Sequence, residues 1–156
     1  MNKEMSLSEV LAMAITREQE AFFFYTDLMD LATDKNVKDT LQWIANEEMK
    51  HRKFLLDYKS GKHAKNALQM STVIDYKVAE HISEPDSGKP LTSGDIFLVA
   101  AHREAKSTKF YTSLSELHSD PEIKGLFLKM ANEELKHKEK MEYLYSNTEF
   151  AQTAGG

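Results

Sequence analysis

The chain has 156 residues, enough for one domain and hardly for two. Its 20 basic and 25 acidic side chains give a net charge of −5, without the basic footprint of a nucleic-acid binder, so no nucleic-acid partner is expected. There is no cysteine, which excludes disulfides, thiolate zinc sites, iron–sulfur clusters and thiol nucleophiles, and any redox metal must rest on oxygen and nitrogen ligands. No window approaches the roughly 18 apolar residues needed to cross a bilayer, and residues 1–8 lack the layout of a signal peptide. A cytoplasmic protein with no membrane partner is expected.

Only six glycines and three prolines occur, the prolines at 85, 90 and 121, so long stretches carry no helix breaker. The first predicted helix opens at Ser6, with Glu9 completing a capping box, and carries the stripe Leu7, Leu11, Ala14, Glu18, Ala21, Tyr25 and Leu28. After a turn near Thr33–Asn36, a second helix over 36–60 carries Leu41, Ile44, Glu48, His51 and Leu55 and stops at Gly61. Residues 61–91 read as a crossover, with Lys, Ser, Gly and Pro at its ends and a short amphipathic helix through Val73, Ile74, Val78 and Ile82. A third helix opens at Thr92 with Asp95, a weaker relative of the capping box, and carries Phe97, Ala100, Glu104, Ser107, Tyr111 and Leu114. The fourth, over 121–147, starts with Pro121 and carries Phe127, Met130, Glu134, His137, Met141 and Leu144. Residues 148–156 are expected to form a flexible tail.

Sliding the sequence along itself by 86 residues lays 6–58 on 92–144 without a gap. Sixteen of those 53 positions are identical, among them Arg17, Glu18, Phe24, Tyr25, Asn46, Glu47, Glu48, Lys50 and His51. The fold class is therefore all-α: one four-helix bundle over 1–147, made of two repeated helical hairpins (6–60 and 92–147) joined by the crossover. A connection of that length can run the whole bundle, making the second and third long helices parallel.

Each apolar stripe is interrupted by groups that belong in water. Glu18 and Glu104 interrupt the first and third long helices; Glu48 with His51, and Glu134 with His137, interrupt the second and fourth in a Glu-x-x-His pattern. Residues three apart share a helix face, so each pair aims at one spot. Glu47 and Glu133, four before each histidine, share that face equally well, and spacing alone does not choose between neighbours. An unpaired buried carboxylate costs several kcal/mol, and four facing one another cannot all stay ionised without cations. No Lys or Arg lies in the stripes at these levels, whereas two divalent ions balance four carboxylates. Carboxylates and imidazoles without sulfur suit iron or manganese, with zinc a further fit. The competing reading of the same residues is a metal-free hydrogen-bonded network.

The segments Ala45-Asn46-Glu47-Glu48-Met49-Lys50-His51 and Ala131-Asn132-Glu133-Glu134-Leu135-Lys136-His137, with Glu18 and Tyr25, and Glu104 and Tyr111, resemble the signatures of the rubrerythrins in the ferritin-like superfamily. The resemblance covers roughly residues 6–145. It implies a ferritin-like di-iron bundle with Glu18, Glu48, His51, Glu104, Glu134 and His137 as metal ligands, Glu48 and Glu134 being chosen over their neighbours by the family pattern. It also implies reduction of hydrogen peroxide in oxidative stress. Tyr25 and Tyr111, two turns along from Glu18 and Glu104, would orient a ligand carboxylate through their hydroxyls. Two departures stand out. The cysteine-ligated rubredoxin domain is absent, so electrons are expected from an external donor, rubredoxin-like or another reductase. The family also tends to carry a second glutamate at the position of Ser107, and without it the set is symmetric, closer to bacterioferritin. The alternatives are a ferroxidase, with dioxygen as oxidant and ferrous ion as substrate, and a non-catalytic helical interaction module.

Phe22, Phe23 and Phe24 must cover more than one helix face and are read as core plus a contact in a homodimer. His63, His81, His102 and His118 have no repeated partner and are expected to be exposed. Arg17 and Arg103 do repeat, with only ion pairs at the bundle exterior to account for them.

Overall fold

Each of the four long helices begins one residue after a side-chain oxygen able to accept from its unpaired N–H groups. Ser6 accepts from Glu9 N at 3.1 Å ahead of α1 (Leu7–Leu31), and Asp34 from Asn36 N and Val37 N ahead of α2 (Lys35–Lys59). Asp120 accepts from Glu122 N at 2.8 Å where the last long helix starts at Pro121, whose missing N–H costs nothing there. Thr92 and Asp95 form both bonds of a capping box, whereas Ser6 and Glu9, read from sequence as the fuller box, show the one bond to Ser6. The computed structural model describes residues 5–62, 68, 70–86 and 88–154, and their remaining helices are α3 (Val78–His81), α4 (Ser93–Glu116) and α5 (Pro121–Ala154).

Helix directions follow from which residues meet. Tyr25 reaches Glu104 while Tyr111 reaches Glu18, so numbers rise along α1 as they fall along α4, and the two run antiparallel. His51 meets Glu134 and His137 meets Glu48, which makes α2 and α5 antiparallel as well. With α1 and α2 joined by a three-residue turn as a hairpin, α2 and α4 are parallel, as the length of the crossover predicts.

The crossover differs from expectation. Its helix spans only the four residues of α3; Val73 and Ile74 precede it without regular structure, and Ile74 is exposed. The reason is that several of its backbone N–H groups and acidic side chains are bonded to α5. Asn132 accepts from Ser71 N and donates to Ser71 O, Glu139 accepts from Ile74 N, and Glu142 accepts from Ala79 N at 2.8 Å. Lys138, buried on α5, donates to Asp75 at 2.5 Å and to Glu80 and Glu142 at 3.0 Å. On the other side His102 donates to Ile82 O at 2.7 Å.

The last helix is also longer than predicted: α5 continues through 148–154, where the sequence reading places a tail. No glycine or proline lies between Gly125 and Gly155 to stop it. The Glu149 carboxylate rests against Gly94 in the first turn of α4, in space that a Cβ would fill. Among the described residues no helix is long and apolar enough to cross a membrane.

Two apolar clusters fill the bundle. One gathers Tyr25, Leu28, Leu41, Ile44, Ile96, Phe97 and Met141; the other gathers Val10, Leu11, Leu55, Leu114, Phe127 and Met130. Between them lies a polar layer.

Candidate metal centre

The polar layer contains Glu18, Glu48, His51, Glu104, Glu134 and His137, none more than 5% exposed. Their geometry repeats the internal two-fold of the sequence. His51 Nδ1 lies 2.9 Å from Glu134 Oε1 and 3.8 Å from Glu18 Oε1; His137 Nδ1 lies 2.9 Å from Glu48 Oε1 and 3.8 Å from Glu104 Oε1. Two groups result, Glu18, Glu48, His51 and Glu134, and Glu48, Glu104, Glu134 and His137, each able to bring one ligand atom per residue within 4.8 Å of the others. Glu48 and Glu134 belong to both, so two carboxylates stand between two neighbouring four-donor sets.

Tyr111 donates to Glu18 Oε1 at 2.6 Å and Tyr25 to Glu104 Oε1 at 2.6 Å, a cross-bundle exchange between α1 and α4. Burial, reinforced by the glutamates, pushes both hydroxyls well above the usual tyrosine range, so they stay protonated donors. Burial and then the neighbouring carboxylates hold Glu48 and Glu104 well above the ordinary glutamate range, and burial pushes Glu134 up to about 8. Burial and the adjacent His51 drive His137 well below the usual imidazole range, leaving neutral nitrogens that can act as ligands.

The fit to a metal pair rests on what these groups lack. Oε2 of Glu18, Glu104 and Glu134 is buried without a hydrogen-bond partner, and a buried carboxylate oxygen left alone is costly. An all-oxygen and nitrogen donor set with several unpartnered oxygens suits hard or borderline divalent cations.

The structure separates the glutamates that spacing leaves ambiguous. Glu48 and Glu134 face inward, while Glu47 pairs with Lys50 at 2.9 Å and Glu133 with Lys136 at 3.1 Å on the flanks. Ser107 is buried on α4, and among the described residues no fourth glutamate joins either group. Arg17 and Arg103, expected in exterior ion pairs, instead lie over aromatic rings, 4.7 Å from the centre of Phe110 and 5.4 Å from that of Phe24. All four residues belong to identical pairs in the repeat, and the resulting chain Arg17, Phe110, Tyr111, Glu18 has its mirror in Arg103, Phe24, Tyr25, Glu104. Of the phenylalanine run, Phe22 and Phe24 pack on the core and Phe23 is exposed. His81 is exposed as predicted, but His102 and His118 are half-buried, His118 bonding Leu114 O at 2.9 Å beside Phe127; His63 lies outside the described residues. Sequence reasoning did not find Trp43, whose ring meets that of His137 edge to face at 5.6 Å. Its repeat mate is Lys129, so the two-fold pattern carries no signal for it.

The rubrerythrin family model matches residues 9–88 and 95–153. A solved structure named "Hypothetical Protein Pfu-1136390-001 From Pyrococcus furiosus" is 27% identical, with a TM-score of 0.60 over 91% of this chain and 89% of that one. No curated protein matches the chain. The match spans both hairpins, and at their centre stands a buried glutamate and histidine cluster of the kind a family of di-iron oxidoreductases requires. On that match, the chain belongs to the rubrerythrin family.

Proposed function

We propose that the protein is a non-haem di-iron oxidoreductase that reduces hydrogen peroxide to water with electrons from an external donor. The observation that carries this reading is the pair of four-residue groups sharing Glu48 and Glu134. Glu18 and His51 would hold one ion, Glu104 and His137 the other, with Glu48 and Glu134 serving both. Two ferrous ions, when bound, supply the two electrons and the Lewis acidity that peroxide reduction needs. The protein's part is to position and to exclude. Tyr111 and Tyr25 each occupy one oxygen of Glu18 and Glu104 and leave Oε2 unbonded for a ligand role. The apolar clusters on either side keep bulk water away, which strengthens each electrostatic contact within. The tyrosine hydroxyls hold protons at the edge of the layer.

A second reading has one observation in its favour. Buried Ser107 stands where the family tends to carry another glutamate, and the remaining symmetric set is closer to the bacterioferritin arrangement, in which ferrous ion is itself oxidised by dioxygen. Metal analysis of the purified protein, with stopped-flow oxidation of the ferrous form by peroxide and by dioxygen, tests both. Two irons per chain and faster oxidation by peroxide are expected. Preference for dioxygen would move the assignment to a ferroxidase, and failure to bind iron would leave the interaction-module alternative.

A further inference from the structure

Inside the polar layer three kinds of contact match between the two halves to the tenth of an ångström: 2.6 Å for both tyrosine contacts, 2.9 Å and 3.8 Å for both sets of histidine contacts. The outer edges of the two imidazoles do not match. Two of the residues around them come from positions where the repeat diverges, since Phe54 corresponds to Lys140 and Trp43 to Lys129, while Glu47, Lys50 and Glu133 belong to identical pairs.

On one side, His51 Nε2 lies 4.0 Å from Glu133 Oε2, and the ring borders a cavity of about 330 Å³ shared with Glu47, Lys50, Phe54, Leu68 and Glu133. At roughly 30 Å³ of liquid volume per water, that space admits a divalent cation with its hydration shell. Among the described residues two of its walls are carboxylates, Glu47 and Glu133, paired with Lys50 and Lys136 respectively. On the other side, Trp43 covers the His137 ring, and Lys140 Nζ stands 5.0 Å from the indole centre, putting a positive charge where a cation would have to approach. A carboxylate, Glu133, thus stands beyond the outer nitrogen of His51, whereas an indole meets the ring of His137.

We infer that the two metal positions are unequal: divalent cations enter and leave through the cavity beside His51, so the position formed by Glu18, Glu48, His51 and Glu134 exchanges first, while Trp43 seals the one formed with His137. This rests on the dimetal reading above. It places the selectivity of loading in residues that touch neither ion.

The test uses the full chain and Co²⁺, which holds its oxidation state in air. Crystals loaded with cobalt are soaked in chelator for increasing times, and the occupancy of each position is read from anomalous scattering. Loss at the His51 position while the His137 position stays filled is the expected result. Equal loss at both, or earlier loss beside His137, overturns the inference and leaves the dimetal reading standing, because two ions were bound. Cobalt at neither position overturns both. In solution, Phe54→Trp narrows the cavity and should slow cobalt uptake followed by its visible absorption. Trp43→Ala should merge two release phases into one. Unchanged uptake in Phe54→Trp, or two persistent phases in Trp43→Ala, counts against the route.

Discussion

At the level of single residues, the glutamates of the polar layer are held by groups that sequence spacing places on the opposite helix. Tyr111 and Tyr25 each spend a buried hydroxyl on one oxygen of a partner carboxylate. Tyr111→Phe removes that bond without changing volume much, and metal affinity should fall about 10- to 100-fold, read by competition with a chelating indicator. An affinity equal to wild type would show that the hydroxyl orients nothing. His51→Ala and His137→Ala should each lower the metal content found by elemental analysis, and full loading in both would remove the ligand assignment. The six-residue set was legible in the sequence because both halves repeat it in register. The choice between Glu48 and Glu47 was not, since neighbours on a helix differ by about 100° and the packing of α2 on α5 decides which one faces inward.

The elements divide into those whose form is local and those whose form is imposed. The starts of α1, α2, α4 and α5 are written in Ser6, Asp34, Thr92 and Asp120, which bond N–H groups two or three residues away. The crossover is the opposite case: its course depends on Asn132, Lys138, Glu139 and Glu142 of α5, some sixty residues distant. Lys138 and Glu142 correspond to Arg52 and Leu56 in the first half, so the repeat itself gave no warning. Lys138→Met should strand the buried Glu142 carboxylate and cost about 3 kcal/mol, the lower end for a broken buried pair because Asp75 and Glu80 reach solvent. Urea unfolding measures the loss, and amide exchange should show it concentrated in 71–82. A loss below half a kcal/mol, on the order of a surface pair, would mean the clasp is ornamental.

For the whole molecule, the polar layer makes stability depend on pH and on metal together. Glu48, Glu104 and Glu134 hold protons more tightly when folded than unfolded glutamate does at about 4.3. Below that pH both states are protonated and nothing is lost. Above it the unfolded chain ionises freely while the buried cluster resists, so the metal-free protein should lose stability as pH rises toward about 8, where Glu134 ionises. His137, held low by burial and His51, opposes this on the acid side of about 6.5, one imidazole against three carboxyls. Thermal melts of the metal-free protein should therefore show a falling midpoint between about pH 5 and 8. Metal favours the ionised carboxylates and should flatten that slope while raising the midpoint; one site at a hundredfold excess over its Kd adds about 2.7 kcal/mol. A midpoint that rises with pH in the metal-free form would contradict the buried, proton-holding cluster.

The sequence by itself determined the four long helices, their pairing as repeated hairpins, the parallel course that a long crossover requires, and the residue types of the central layer. These are properties of periodicity, capping and repetition, which act within a few residues or between identical segments. Tertiary structure decided what remained: the course of 70–82, the extra turns of α5 over Gly94, the rings beneath Arg17 and Arg103, and the different surroundings of His51 and His137. Each arises where residues distant in the chain, some of them unlike their repeat mates, are brought together by packing, so no local pattern records them.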